Sequence, residues 1–254
     1  MFAADGFPTM NELVIWPDWF GRDWYAFNKV SFLTFLAMLI PVILFVTAGA
    51  KYKKRVVPRG VQTVVEATVE MVERQVIMPT MGAEGMVYLP LLISIFVFIL
   101  VGNLFGIIPP AFFSPNARMG NPVVLALMVW LVFIGVGLKH HGLKYFLDAI
   151  NPPGVPMALK PLVMFIELFS VFVLRPFSLA IRLFANLLAG HILLVTFVVL
   201  TVSVWELSGL ASIVPVTFLG LLLFTGFELL VAVLQAYVFT LLTAVYIGSS
   251  IHAH

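Results

Sequence analysis

The chain has 254 residues, of which 62% are hydrophobic and only 10% are charged, whereas about a quarter of the residues of a soluble domain are charged. This composition excludes a soluble globular domain and predicts an integral membrane protein. The net charge of +2 is too small and its basic residues too dispersed for a nucleic-acid partner, and zero cysteines exclude disulfides and thiolate chemistry.

Apolar stretches of about 20 residues or more, long enough to cross about 30 Å of hydrocarbon as helix, recur along the chain. Strands of alternating apolar and polar residues, typical of membrane barrels, do not occur in the sequence. We therefore predict an all-α integral membrane protein, in a single domain over residues 1–254. About five membrane-embedded helical segments and one interfacial amphipathic helix are expected.

The chain begins with a polar lead, residues 1–29, which carries tryptophans suited to a membrane interface and lacks the pattern of a cleaved signal peptide. The first predicted span is residues 30–49. It is followed at once by KYKKRVVPR, whose five basic residues mark a cytoplasmic end. The lead is therefore expected to face the outside.

Residues 61–78 have the pattern of an amphipathic helix that begins after Gly60 and ends near Pro79. Valines recur at helical spacing on one side, and a glutamine and three glutamates hold the other. Four charges make a membrane span expensive. This helix either lies along the cytoplasmic surface of the membrane or packs on protein as a connector.

The next two predicted spans are residues 87–108, which run outward to a turn-rich loop, and residues 122–138, which return inward. The loop that follows carries Lys139, Lys144 and Lys160, which again marks a cytoplasmic side. This orientation puts the N-terminus outside and the C-terminus in the cytoplasm.

Two segments of unusual length follow, residues 161–204 and 209–251, each over twice the ~20 residues needed to cross a bilayer. Either each consists of two short helices with a hidden turn, or each is one long, strongly tilted helix. Pro176 and Pro215 are candidate kinks.

Charged residues are rare after residue 160, and most of them lie inside the two long apolar segments. They are Glu167, Arg175, Arg182, Glu206 and Glu228. A charge at bilayer depth costs at least ~2.5 to 3.5 kcal/mol, so such residues usually face protein, water or a partner and usually serve transport. An internal salt bridge of Arg182 with Glu228 or Glu167 is the structural explanation. Transport is favoured because the polar side chains that accompany Arg182 are more than one salt bridge needs. They are Asn186, His191, Glu228 and Gln235.

Helical spacing groups these residues further. Four of them recur at steps of three and four and therefore share one face: Arg175, Ser178, Arg182 and Asn186. His191 lies about 13 Å beyond Arg182, and Glu167 lies about 22 Å the other way, so a fixed cation separates two titratable positions. Glu228 shares a face with Gln235, and with His191 it provides the usual parts of a proton relay. No spacing among the remaining histidines makes a persuasive metal site.

The stretch RPFSLAIRLFANLLAGH, residues 175–191, resembles the signature of subunit a of the F-type ATP synthase. The stretches NLFGIIPP and FELLVAVLQAYVFTLLTAVYI support the resemblance, which covers the chain from about residue 30 to residue 250. It implies that Arg182 is the essential cation facing a rotating ring of c subunits, and that the two long segments form a tilted hairpin against that ring.

The resemblance also implies two offset half-channels for protons. It assigns the outer one to Asn186, His191, Glu228 and Gln235, with Asn103, and the cytoplasmic one to the region of Glu167, near Arg175 and Ser178. Some members exchange the histidine and the glutamate, and here the histidine comes first. The implied partners are the c ring, the b-subunit peripheral stalk, the other synthase subunits and lipid, in a bacterial inner membrane. No cofactor and no ATP site are implied, and the sequence contains no Gly-rich phosphate loop.

Three other classes of protein compete with this interpretation. A secondary ion or proton transporter would also bury Arg182, His191 and Glu228, but the inverted repeat expected of one is not evident. An intramembrane hydrolase needs a nucleophile with a base or metal, and Ser178 has no histidine at a telling spacing. A purely structural anchor would not explain the three polar residues together.

Overall fold

The structure, a computed structural model, describes residues 18–20, 27–52, 60–108, 113–142, 144–145, 159–206 and 214–251. Within these ranges the chain is almost entirely helical, and five helices are long and apolar enough to cross a membrane. The prediction of an all-α membrane protein is therefore confirmed. The five are Lys29–Ala50, Val61–Leu104, Gly120–His141, Lys160–Trp205 and Val214–Ile251.

Eight α-helices make up these spans: α1 (Lys29–Tyr52), α2 (Val61–Met71), α3 (Met78–Met81), α4 (Leu89–Leu104), α5 (Gly120–His141), α6 (Lys160–Phe169), α7 (Arg175–Glu206) and α8 (Val214–Ile251). Turns of other helical types join or cap some of them: π turns Val72–Ile77 and Ser170–Leu174, and 3-10 turns Gly82–Tyr88 and Pro115–Ala117. A short antiparallel pair, β1 (Asp18–Phe20) and β2 (Phe27–Asn28), precedes α1. Most of the predicted external lead and of the basic stretch after α1 lies outside the described residues.

An asparagine cap sets the start of α1. The Asn28 Oδ1 accepts hydrogen bonds from the backbone N–H groups of Val30 and Ser31, each at 3.1 Å, and so satisfies donors that the first helical turn leaves unpaired. One turn later the Asn121 Nδ2 donates to the Thr34 Oγ1 at 3.1 Å. This bond ties the start of α1 to the start of α5.

The stretch 61–81 is helical with one π turn and ends at Gly82, whose φ of 64° breaks the helix three residues after Pro79. A 3-10 turn, Gly82–Tyr88, then joins it to α4. A π turn precedes Pro79, because a residue without an N–H cannot continue the regular ladder. Of the predicted valine face, Val72 and Val76 are fully buried by protein whereas Val61 is exposed. The connector is therefore packed on protein at its C-terminal end.

Each long C-terminal segment is one helical stretch within the described residues, so the alternative of two short helices with a hidden turn is wrong. The stretches have 46 and 38 residues, which correspond to about 69 and 57 Å, about twice the hydrocarbon thickness. Pro176 follows the π turn Ser170–Leu174, which accommodates its missing N–H. Pro215 is the second residue of α8, so it begins that helix and does not kink it.

Small residues let α8 pack closely against its neighbours α4, α5 and α7. They recur at helical spacing and are all buried: Ala232, Ala236, Thr240, Ala244 and Gly248. A Cβ added at Gly248 would lie only 2.8 Å from the Thr80 carbonyl oxygen. The same face of α8 therefore carries its polar residues into the interior of the bundle.

Candidate functional site

Five polar side chains from four elements are buried in the bundle interior, two of them on α8. Their exposed fractions are 1% for Asn103, 0% for Asn116, 5% for His191, 6% for Glu228 and 4% for Gln235. Four of the five were predicted as pathway residues, and Asn116 was not. Burial of so many polar groups in an apolar bundle is expensive unless each finds a partner.

The Glu228 carboxyl lies between two glycines of different helical segments. A Cβ added at Gly190 of α7 would be 3.5 Å from its Oε1, and one added at Gly106, just beyond α4, would be 3.6 Å from the same atom. The Oε2 is buried and has no hydrogen-bond partner in the described part of the chain. The absence of side chains at the two glycines thus creates the space that the carboxyl occupies.

His191 is the residue after Gly190, against which the Glu228 carboxyl lies. The His191 ring makes a T-shaped contact with the Phe113 ring, and the two ring centroids are 5.5 Å apart. The Nδ1 is buried without a hydrogen-bond partner among the described residues. No hydrogen bond joins the imidazole to Glu228 in the same ranges, so the two predicted relay groups are not directly bonded.

A pair of asparagines holds the loop before α5 against α8. The Asn103 Nδ2 donates to the Ala232 carbonyl oxygen at 3.1 Å, and the Asn116 Nδ2 donates to the Asn103 Oδ1 at 2.9 Å. The Asn116 backbone N–H also donates to the Ser114 Oγ at 3.2 Å. Sequence reasoning missed Asn116, whose only signal is that two polar residues flank a proline in the apolar stretch FFSPNA.

A second amide bond connects α7 to α8. The Asn186 Nδ2 donates to the Gln235 Oε1 at 2.9 Å, while the Gln235 Nε2 is buried without a partner in the described ranges. Asn186 lies at the edge of the exposed side of α7, and Gln235 is in the interior. The bond therefore links the outer face of the hairpin to the buried cluster.

Arg182 lies on the exposed side of α7, among Ser178 and large apolar side chains such as Phe177, which is 56% exposed. In the described part of the chain no acidic group is within 4 Å of its guanidinium. The internal salt bridge with Glu228 or Glu167 is therefore not found. Glu228 lies in the bundle interior, whereas Arg182 points away from it.

Arg175 has different surroundings from Arg182, although the spacing predicted a shared face. Its guanidinium lies 5.4 Å from the centroid of the Tyr246 ring and donates to the Ser249 Oγ at 3.4 Å. The long side chain thus reaches across to α8, and Arg175 is half-buried where Arg182 is exposed. Glu167 lies in α6, beyond the π turn, and is half-buried.

No group of three or more histidine, cysteine, aspartate or glutamate side chains within the described ranges could hold a metal ion. The site instead consists of two hydrogen-bonded pairs of carboxamides with one carboxyl and one imidazole, enclosed by long apolar helices. Such groups exchange and orient protons and water in a membrane. Together with an exposed arginine at membrane depth, this arrangement defines a polytopic membrane protein of the ion-transporting class.

Comparison with known proteins narrows this class. A sequence model of the family described as ATP synthase A chain matches residues 31–248. The chain is 44% identical to ATP synthase subunit a of Rhodococcus erythropolis over 90% of its length and 84% of that protein. It is 38% identical to the same subunit of Frankia alni (98% and 88%) and 41% identical to that of Rhodopseudomonas palustris (91% of each). The chain therefore belongs to the ATP synthase subunit a family.

Family membership fixes the general role of the chain. It is a multi-pass membrane subunit of the Fo sector, it serves ATP synthesis and hydrogen-ion transport, and it assembles with other ATP synthase subunits. It is not itself the catalyst, because the ATP sites of the synthase lie in other subunits.

Proposed function

We propose that this subunit is the stator through which protons reach and leave a ring of c subunits by two offset half-channels, one open to each side of the membrane. Arg182 faces the membrane carboxylates of the ring and separates the half-channels. The observation that carries the proposal is the contrast between this exposed arginine, without an acidic partner in the described chain, and the buried polar cluster behind it. Proton flow is thereby coupled to rotation and ATP synthesis.

The chemistry of Arg182 suits this role. A guanidinium stays protonated at any biological pH, so it cannot reduce its burial cost by losing a proton. Against lipid the charge costs at least ~2.5 to 3.5 kcal/mol, which a carboxylate of the ring offsets. Charges interact several times more strongly in a low-dielectric setting than in water. The positive charge of Arg182 therefore repels a proton that would pass directly from one half-channel to the other. Protons therefore travel round with the ring.

The buried cluster supplies the outer half-channel, in which Glu228 and His191 titrate and Asn103, Asn186 and Gln235 orient water. The orphan atoms of Glu228, His191 and Gln235 support this, because buried polar atoms need hydrogen-bond partners and internal water normally supplies them. Carboxyl and imidazole groups are the usual parts of proton relays within membranes.

The cytoplasmic half-channel includes Glu167 of α6 and the exposed Ser178, which lies between Glu167 and Arg182 along the helix. Arg175 lies one helical turn before Ser178, and its guanidinium contacts the Tyr246 ring of α8. In this orientation the N-terminus is outside a bacterial inner membrane and the C-terminus is cytoplasmic. The subunit contacts the c ring through the exposed face of α7 and α8, and the b-subunit peripheral stalk elsewhere.

The proposal is tested by ATP-driven acidification of inverted membrane vesicles that contain the whole synthase with Arg182→Ala. We expect pumping to be abolished while affinity purification still recovers the assembled complex, because no neutral side chain can hold the ring carboxylate. Arg182→Lys keeps a positive charge and is expected to restore only a small part of the activity, since lysine can lose its proton when it is buried.

The matched control is Arg74→Ala. Arg74 pairs with Glu70 at 3.1 Å, and both side chains are largely exposed, so loss of this arginine should leave pumping unchanged. Normal pumping by an assembled Arg182→Ala complex would contradict the proposal.

A further inference from the structure

Asn116 is a loop residue held in the bundle interior. It belongs to the 3-10 turn Pro115–Ala117, and its side chain is fully buried. A Cβ added at Gly102 of α4 would lie 2.8 Å from the Asn116 Nδ2, so the carboxamide occupies the space that this glycine leaves. Loops rarely bury a polar side chain so completely, because their backbone and side chains normally seek water.

The bonding of Asn103 determines which end of the Asn116 carboxamide is free. The Asn103 Nδ2 donates to the Ala232 carbonyl oxygen at 3.1 Å, so the Oδ1 of Asn103 is the atom that faces Asn116. An oxygen must receive a hydrogen bond, so Asn116 presents its NH₂ there. The Asn116 Oδ1 is left pointing elsewhere, buried and without a partner in the described residues.

The Asn116 carboxamide and the Glu228 carboxyl both lie near the C-terminal end of α4. Asn116 lies against Gly102, and the Glu228 Oε1 would be 3.6 Å from a Cβ at Gly106. Gly102 is in α4, and Gly106 lies in the turn that follows it, four residues further along the chain. Three buried atoms in this part of the bundle have no hydrogen-bond partner among the described residues: the Asn116 Oδ1, the Glu228 Oε2 and the His191 Nδ1. Internal water is the usual partner of such atoms.

We propose that Asn116 is a further residue of the outer proton path, with its Oδ1 accepting a hydrogen bond from the water that delivers protons to Glu228. The inference rests on the proposed function, in which Glu228 belongs to the outer half-channel. The proton passes from the hydrated donor to the Glu228 carboxylate, and the Asn116 amide neither gains nor loses a proton. Its contribution is to fix the position and orientation of that water, while Asn103 fixes Asn116.

The experiment measures ATP synthesis by inverted vesicles, whose lumen corresponds to the outer side. The lumenal pH and the pH of the medium are varied separately. Asn116→Leu replaces the carboxamide by an apolar side chain of similar size. We expect half-maximal synthesis to require about tenfold more protons in the lumen, the size of effect that loss of one buried hydrogen-bond acceptor produces, with no change in the dependence on medium pH. Asn116→Asp keeps an oxygen at the position, so it is expected to retain synthesis with an altered dependence on lumenal pH.

The matched control is Thr243→Val on α8. Thr243 is fully buried like Asn116, but its hydroxyl donates to the Phe239 carbonyl oxygen of its own helix at 2.8 Å. It should leave both pH dependences unchanged. A merely structural role for Asn116 would lower the maximal rate, or shift the dependence on both sides equally.

Assembled Asn116→Leu with an unchanged dependence on lumenal pH overturns the inference. Where Asn116→Leu fails to assemble, Asn116→Asp decides: an unaltered lumenal dependence again overturns it. Arg182→Ala is measured in parallel, so that the two proposals can fail separately. Retained pumping in Arg182→Ala would refute the stator mechanism, whereas lost pumping there with an unchanged Asn116 profile would refute only the role of Asn116.

Discussion

The two sides of α7 place their polar groups in different surroundings, one enclosed by protein and the other exposed. On the buried side, His191 lies against Phe113, and Glu228 lies against Gly190. Some polar atoms of this cluster have partners, and others are enclosed without any among the described residues. On the exposed side, Arg182 is surrounded by apolar side chains and has no acidic partner in the described chain. An enclosed orphan atom can be satisfied only by a species as small as water, whereas an exposed charge can be satisfied by another subunit. The same helix thus has one side suited to proton transfer and one suited to a partner.

The largest effect on the buried side is expected from Glu228→Gln. Glutamine fits between Gly106 and Gly190 as glutamate does, but it cannot accept and release a proton. We expect the rate of proton translocation to fall about 100-fold, in the range lost when a positioned acid or base is removed. ATP-driven acidification of vesicles measures the rate, and affinity purification checks assembly.

Glu84→Gln is the matched control, because Glu84 is exposed on the 3-10 turn before α4 and belongs to neither side of α7. It should pump as the unchanged protein does. Unimpaired pumping by an assembled Glu228→Gln complex would remove Glu228 from the proton path and reduce the buried cluster to a packing feature.

The sequence predicted an all-α membrane protein with about five spans because lipid imposes a simple condition, a run of apolar residues long enough to cross. It could not predict the π turns near Pro79 and Pro176, because a proline can end a helix, kink it or follow a wide turn, and packing decides among these. The strand pair before α1 lies in a segment whose composition indicated only a polar lead.

The candidate site was predictable to the extent that its residues are conspicuous in an apolar run. Arg182, His191 and Glu228 stand out by charge alone. Asn116 and Gly102 do not, because a glycine matters only when another side chain comes against it, and an asparagine after a proline ordinarily indicates a surface turn. Contacts between distant parts of the chain give these residues their meaning, and one sequence does not reveal such contacts.

A smaller effect on the buried side is expected from Gly102→Ala. The new methyl would lie 2.8 Å from the Asn116 Nδ2, so the carboxamide must move and its bond to Asn103 weakens. The loss of one hydrogen bond, about 1 kcal/mol, corresponds to about a fivefold fall in the rate of proton translocation. The rate and the thermal stability of the purified complex are measured together.

Gly135→Ala separates this steric effect from the general effect of adding a methyl group to a helix. A Cβ at Gly135 would have nothing within 4 Å, and alanine favours the helix by up to about 1 kcal/mol over glycine. This variant should pump normally and be no less stable than the unchanged protein. Equal behaviour of the two alanine variants would mean that the position of Asn116 does not affect the path.

The smallest effect is expected from Arg175→Leu, which tests whether the exposed side of α7 has one functional arginine or two. Arg175 already has partners in its own chain, the Tyr246 ring at 5.4 Å and the Ser249 Oγ at 3.4 Å. Their loss should cost about 0.5 to 1 kcal/mol of stability, seen as a small decrease in the melting temperature of the complex, with pumping nearly unchanged. An assembled Arg175→Leu complex that lost pumping, as Arg182→Ala is expected to, would contradict this prediction. Contacts within the chain would then not distinguish an arginine with a structural role from one that couples proton flow to rotation. Retained pumping would leave Arg182 as the arginine without a partner in the described part of the chain, as expected of the group that meets the ring.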